Sequence, residues 1–271
     1  MNDTFEMLCI YFRGFLRMIL GLATLGLVRE SELLSLRDDK VEFDNLRNKI
    51  HFYLEKVFRN KSWESDLNLE NVIKFSKSEN GQDIFALLSS NFSRDKIFIE
   101  IGAYDGITFS NTYLLEKKFG WTGILVECIP SNFKRIALTR ESKSILAAAT
   151  NKDIDSINVV QQPAANLSGL ADDIRKNKLR SLSHKVPGYS LDSIIKLASP
   201  TGEIGFLSVD IEGAEYSIFQ SADLSRHKIG AICVEHNFRP ESEKLRELII
   251  DQGYKIVFQE FSGNDYWFIK I

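Results

Sequence analysis

An apolar run, Lys96-Ile97-Phe98-Ile99, leads into Glu100-Ile101-Gly102-Ala103-Tyr104-Asp105-Gly106-Ile107-Thr108-Phe109 and then into a helical stretch over Asn111–Lys118. A strand that enters a glycine turn and leaves as a helix narrows the fold sharply. It opens an α/β ligand site in which backbone N–H groups and a helix N-terminus face the ligand. This turn is acidic. Where a G-x-G-x-x-G turn lets the backbone approach a pyrophosphate, Tyr104 and Asp105 put bulk and negative charge. A dinucleotide is therefore a poor match.

The rest of the chain agrees with an α/β reading. Ile97–Ile101, Gly123–Glu127, Ser144–Ala148, Ile157–Gln161, Gly205–Asp210, Ala231–Glu235 and Lys255–Gln259 are expected strands, with Tyr266–Lys270 closing the chain. Helical patterns at Asn111–Phe119, Asn132–Arg140, Leu191–Ala198, Ala214–Phe219 and Ser242–Gln252 lie between several of them. Alternation of this kind predicts a mostly parallel sheet with helices on both faces. The last two strands, joined by Ser262-Gly263-Asn264, read as a hairpin.

S-adenosylmethionine suits an acidic turn, because it has no phosphate and carries an ammonium and a sulfonium. It is the expected cofactor. Glu127 stands twenty-one residues after Gly106 at the end of the second strand, about where a carboxylate meets ribose hydroxyls. Glu100, Gly102, Tyr104, Asp105, Gly106 and Glu127 make up the expected cofactor site.

A chain of 271 residues with 44% hydrophobic content can bury one substantial core and keep a segment for another purpose. The net charge is −3 with no long basic patch, which argues against a nucleic-acid partner and for a small polar substrate. Cys9, Cys128 and Cys233 have no zinc-like spacing and read as reduced, packed thiols of a cytoplasmic protein. Phe5, Leu8, Phe12, Phe15, Ile19, Leu22 and Gly26 form a stripe opposite Glu6, Arg13 and Arg17, an amphipathic helix over residues 1–28. Its uninterrupted apolar run, Met18–Val28, has eleven residues, against the roughly 20 that a membrane span needs. Peripheral membrane contact is the expectation, with packing on the domain or a subunit contact in a homodimer as the alternatives. Residues 29–75 read as a helical linker, in which Leu36, Phe43, Ile50 and Val57 repeat at seven, followed by a polar loop over Ser62–Lys77. The catalytic domain is expected over residues 76–271.

Four motifs in order resemble the FkbM-type S-adenosylmethionine-dependent O-methyltransferases. They are Ser78-Glu79-Asn80-Gly81-Gln82-Asp83, Phe98–Gly106, Trp121-Thr122-Gly123-Ile124-Leu125-Val126-Glu127, and Ser208-Val209-Asp210-Ile211-Glu212-Gly213-Ala214-Glu215. The resemblance implies a class I methyltransferase fold and methyl transfer to a hydroxyl, often on a sugar or a polyketide-type product. Where the family often has Glu-Pro-Asn-Pro after the second strand, this chain has Glu127-Cys128-Ile129-Pro130. Ser168-Gly169-Leu170 resembles the family's substrate-side or adenine-side loop.

Methyl transfer from a sulfonium needs a positioned oxygen nucleophile and a base for its proton. Asp210 and the pair Glu235-His236 end neighbouring strands, so both ends should face one crevice. His236 is the expected base, since its ordinary pKa suits neutral pH, and Asp210 the expected orienting carboxylate. Asp210, Glu212, Glu215, Glu235 and His236 offer an alternative Mg²⁺ site. It is not the favoured reading, because Glu212 and Glu215 fall at a helix start that favours carboxylates without a metal. His184, expected on a loop, is a weaker base candidate, and His51 and His227 are expected at the surface. Two other functions compete with the methyltransferase: a membrane-associated non-catalytic interaction module on the same fold, and an NAD-dependent oxidoreductase.

Overall fold

The computed structural model describes Val72, residues 75–161, 182–259 and 262–271, and the backbone of Gly169 and Leu170. The expectations for residues 1–28, for the heptad of the linker, and for Cys9, His51 and Ser168 lie outside the described residues. Val72 and Phe75 are helical, so part of the loop expected over Ser62–Lys77 is instead helix, and Val72 is buried in the core. Among the described residues no helix is long and apolar enough to cross a membrane.

In chain order the elements are α1 (Gln82–Ser89), β1 (Ile97–Ile101), α2 (Tyr113–Phe119), β2 (Thr122–Glu127), α3 (Pro130–Thr139), β3 (Lys143–Leu146), β4 (Ala148–Ala149), β5 (Ile154–Gln161) and β6 (Gly169–Leu170). There follow β7 (Leu182–Tyr189), α4 (Leu191–Ala198), β8 (Glu203–Val209), α5 (Glu215–Gln220), β9 (Lys228–Glu235), α6 (Ser242–Asp251), β10 (Tyr254–Val257) and β11 (Asp265–Lys270). The main sheet has seven strands in the order β10-β11-β9-β8-β1-β2-β3. β3, β2, β1, β8 and β9 run parallel, and β11 is antiparallel to both of its neighbours. This is the class I methyltransferase architecture that the sequence resemblance implies. The chain leaves β1 toward β2 and β3, then returns to the other side of β1 as β8. The ends of β1 and β8 therefore form the switch point where open α/β sheets bind ligands.

The strands separate two apolar layers. Phe98 faces Phe85, Phe119, Trp121, Phe206 and Trp267 on one side of the sheet. Its neighbours Ile99 and Ile101 point to the opposite layer with Ile194, Leu207 and Phe268, as the two-residue period of a strand requires. Phe85 stacks on Trp267 with ring centroids 5.0 Å apart, which fastens α1 to the hairpin strand β11. That hairpin is as expected, with Tyr254 opposite Lys270 and Val257 opposite Trp267.

Three expectations change. The strand expected over Ser144–Ala148 divides, with Lys143–Leu146 in the main sheet and Ala148–Ala149 in a second, four-stranded sheet ordered β4-β7-β5-β6. The strand expected at Ile157–Gln161 belongs to that second sheet and pairs antiparallel, with much of its length exposed rather than buried in a parallel sheet. His184 lies in β7 rather than on a loop. Pro187 within this strand falls where Asp155 and Ser156 bulge between the pairs Ile154–Gly188 and Ile157–Val186. A bulge is where a strand tolerates a residue without an N–H. Helix α1 gave no periodic signal because Gln82 through Leu87 are all buried, leaving no polar face to alternate with.

Candidate active site

The glycine turn begins by extending the sheet. Gly102 N–H donates to Val126 O at 2.9 Å, and Asp210 N–H donates to Ile101 O at 3.0 Å, so the two crevice walls are tied by backbone. Gly102 sits at φ +88°, and a Cβ there would lie 1.7 Å from the Asp210 carbonyl oxygen. The glycine is thus demanded by the neighbouring strand end, whereas sequence reasoning gave ligand approach as the reason. Gly106, at φ +82°, is similarly enclosed by Arg140, Thr139 and Ile136.

Arg140 fixes this turn from behind. Its fully buried guanidinium donates to Gly106 O at 3.1 Å, Ser110 Oγ at 3.1 Å, Thr112 Oγ1 at 2.9 Å and Glu116 Oε1 at 3.0 Å, and reaches Glu100 Oε2 at 3.4 Å. Glu100, 4% exposed, also accepts from Asn111 N–H at 2.7 Å, Ser110 Oγ at 3.0 Å and Thr112 Oγ1. Glu100 borders the crevice, but both its oxygens are engaged in holding the turn. Ser110 Oγ also accepts from the N–H groups of Thr112 at 3.3 Å and Tyr113 at 3.1 Å, which is why α2 starts two residues later than expected. Asp105 closes its own loop, accepting from Ile107 N–H at 3.0 Å and Thr108 N–H at 2.8 Å. Neither Asp105 nor Gly106 lines the cavity, so the acid expected at the phosphate position is turned into the loop.

Glu127 does line the cavity. It is 5% exposed and accepts from Tyr104 N–H at 2.9 Å and Ile129 N–H at 2.7 Å, one to each oxygen. Burial pushes its carboxyl up to about 7 against the pull of those donors. The Cys128 N–H and the Asn132 side chain also favour the charged form, and the carboxylate stands on the cavity wall where a ligand hydroxyl would meet it. Ile129 N–H reaches back to Glu127 although Cys128-Ile129 stands where the family has Pro-Asn.

Across the crevice stand Asp210, Glu215 and Glu235, whose carboxylate oxygens lie within 4.8 Å of one another. Asp210 faces the cavity, yet the protein around its carboxyl strips much of its water and Glu235 sits beside it, so its pKa rises well above the usual range. Glu235 is raised by burial and then by Glu212. Two such neighbours hold a proton between them more readily than two charges. Glu215, expected at the helix start and in the alternative Mg²⁺ set, accepts from Ile211 N–H at 3.0 Å and Gly213 N–H at 3.1 Å. Glu212 leans toward Arg239 at 3.8 Å. Of the alternative Mg²⁺ set, Asp210, Glu215 and Glu235 come together, without Glu212 and His236.

His236, the expected base, does not line the cavity. It is 7% exposed, stacked on Tyr266 at 4.1 Å, and accepts Phe238 N–H at Nδ1 at 3.0 Å. A neutral imidazole accepting at Nδ1 carries its proton on Nε2, leaving no lone pair for a substrate. His227, expected at the surface, is buried against Asp192 at 2.6 Å.

The cavity has a volume of about 260 Å³ and its wall carries Glu79, Glu100, Glu127, Asp210, Glu212 and Glu235. Among the described residues that line it there is no Lys, Arg or His. A phosphate would find no counter-charge here, whereas a ligand with an ammonium and a sulfonium would.

The family model described as the methyltransferase FkbM domain matches residues 100–256, more than half of the chain. The chain belongs to the FkbM methyltransferase family. Among solved structures it is similar to a methyltransferase FkbM from Methylobacillus flagellatus at 14% identity and TM-score 0.41, over 83% of this chain and 60% of that one. It is also similar to a TehB-like SAM-dependent methyltransferase from Corynebacterium glutamicum, at 8% identity and TM-score 0.39 over 74% of this chain and 94% of that one. A third is a precorrin-6y C5,15-methyltransferase from Geobacter metallireducens, at 14% identity and TM-score 0.38, over 72% and 88%. The chain spans about 60% of the length of the Methylobacillus structure. No curated protein matches it.

Proposed function

We propose that this FkbM-family protein is an S-adenosylmethionine-dependent O-methyltransferase acting on a hydroxyl of a sugar, of a glycan or glycolipid precursor, or of a similar metabolite. The observation that carries the reading is the acidic cavity at the switch point of the sheet, with no Lys, Arg or His among the described residues that line it. Bound there, S-adenosylmethionine supplies an electrophilic methyl group. Glu127 holds the ribose hydroxyls, with its carboxylate oriented by Tyr104 and Ile129 N–H. The turn locked by Arg140 and Glu100 keeps the wall in place without rearrangement when a ligand arrives.

The Asp210–Glu235 pair takes the role first expected of His236. With one proton between the two carboxyls, the ionised partner accepts the proton of an acceptor hydroxyl as its oxygen becomes the nucleophile. A second reading comes from the three carboxylates within 4.8 Å, which offer oxygen ligands suited to Mg²⁺. There the cation, rather than the pair, would lower the pKa of the hydroxyl.

Incubation of the full chain with methyl-labelled S-adenosylmethionine and a panel of hydroxylated acceptors tests this. Label should move to a sugar- or glycolipid-type hydroxyl with formation of S-adenosylhomocysteine. Label on an amine or a carbon, or on no acceptor while NAD is bound, would contradict it.

A further inference from the structure

Of the four motifs in the sequence, Ser78-Glu79-Asn80-Gly81-Gln82-Asp83 has no part in the glycine turn, the ribose carboxylate or the reactive pair. Most of it holds its own loop. Asp83, fully buried, accepts from Ser78 Oγ at 2.6 Å, Ser76 Oγ at 2.9 Å and Lys77 N–H at 3.3 Å. Gln82, 4% exposed, accepts from Asn80 N–H at 2.9 Å and donates through Nε2 to Asp265 Oδ2 at 2.6 Å. Glu79 is the exception. It is exposed and lines the cavity, and among the described residues it has no hydrogen-bond or ion-pair partner.

The other acids on that wall are engaged. Glu100 and Glu127 accept from protein donors, Asp210 and Glu235 stand against each other, and Glu212 leans toward Arg239. A loop pinned at Gln82 and Asp83 that leaves one open carboxylate on a cavity wall can bind a ligand with little further ordering.

The position says which ligand. Asp265 stands directly opposite Glu235 in the β9–β11 ladder, where facing side chains share one face of the sheet about 5 Å apart. The Gln82–Asp265 bond therefore pins the Glu79 loop beside the reactive pair. Glu127 is on the far side, with β9, β8 and β1 between β11 and β2. An acceptor hydroxyl that gives its proton to the pair brings the rest of its molecule to this side of the cavity, so Glu79 meets the acceptor rather than the ribose. A carboxylate offers about four acceptor positions and no donor, which suits two neighbouring hydroxyls of a sugar ring.

We propose that Glu79 holds the acceptor, its carboxylate accepting hydrogen bonds from hydroxyls of a sugar ring next to the one that is methylated. This rests on the reading of the cavity as a sugar O-methyltransferase site with Asp210 and Glu235 as its base.

The test measures S-adenosylhomocysteine formed by the full chain, with methyl and octyl glycopyranosides of glucose, galactose and mannose as acceptors. Glu79→Ala removes an exposed side chain without partners, so the fold should survive. It should raise KM for the sugar that is used about tenfold to a hundredfold, the usual loss for hydrogen bonds to a charged group. Turnover at saturation should stay within about twofold, the pattern of binding lost equally from ground and transition states. Glu79→Gln, which keeps the shape without the charge, should fall between. One monodeoxy derivative of the same sugar should lose a similar factor with wild type and nothing further with Glu79→Ala. An unchanged KM in Glu79→Ala, or a matching loss of S-adenosylhomocysteine affinity in calorimetry, would overturn the role of Glu79. Failure of the wild type to methylate any of these sugars would instead remove the sugar reading, and this inference with it.

Discussion

The two walls of the crevice are both acidic, but they hold their charge in opposite ways. On the β1–β2 wall every carboxylate has protein donors. Glu100 accepts from Ser110, Asn111, Thr112 and Arg140, and Glu127 from two backbone N–H groups. On the β8–β9 wall Asp210, Glu235 and Glu212 crowd together, and each carboxyl is raised by burial and, for the first two, by its neighbours. A donor-satisfied carboxylate is a fixed part of the scaffold. Burial raises Glu127 on the first wall as well, but a carboxylate pressed against another can share a proton with it, and such a pair is suited to proton transfer. We therefore assign positioning to the first wall and chemistry to the second.

The comparison breaks most visibly at Arg140. Arg140→Met leaves Glu100 buried without its cation, which should cost about 3–5 kcal/mol of stability in urea unfolding. Asp210→Asn is the matching change across the crevice and should do the reverse. Relief of like-charge crowding should leave the melting temperature at pH 8 unchanged or higher, while turnover falls about 10²-fold to 10³-fold. Should Asp210→Asn unfold the protein as Arg140→Met does, the two walls are not different in kind. Activity that falls on EDTA treatment and returns with Mg²⁺ would sharpen the second wall into a metal site.

A smaller effect is expected at Glu127. Glu127→Ala should weaken S-adenosylhomocysteine by about 1–3 kcal/mol in calorimetry with the fold intact. The raised pKa of about 7 also gives a sign. In the unliganded protein this group's contribution to stability is full below the ordinary carboxylate range and is lost as pH rises through about 7. A ligand that donates to the ionised carboxylate pulls the other way. Binding should therefore tighten from pH 6 to pH 8 and release protons near neutrality, as read from heats in buffers of different ionisation enthalpy. Smallest of all is His236→Phe, which keeps the stack on Tyr266 and should change turnover less than about threefold. A loss like that of Asp210→Asn would return His236 to the base role and put the reactive centre outside the cavity.

The sheet was legible because β1, β2, β8 and β9 are buried along most of their length, and such strands are continuous apolar runs bounded by turns. The second sheet was not. β5 and β7 mix exposed and buried residues, and Pro187 hides its strand until the bulge opposite it is seen. At the site, Glu127 could be found by its distance from the turn and Asp210 by its place at a strand end. Asp105 and His236 could not be sorted by residue type, because their roles depend on where a side chain points. Asp105 bonds its own loop, and the Nδ1 of His236 is taken by Phe238 N–H. Arg140 and Asn111 gave no signal either, since one acts across about forty positions of sequence from Glu100 and the other stood inside an expected helix.

The most direct test is calorimetry of the full chain against S-adenosylhomocysteine and NAD in parallel at pH 7. An acidic cavity without a basic side chain on its described wall should bind S-adenosylhomocysteine, with proton release that fades as pH rises past 8, and should give no heat with NAD. Binding of NAD with no response to S-adenosylhomocysteine would contradict the account.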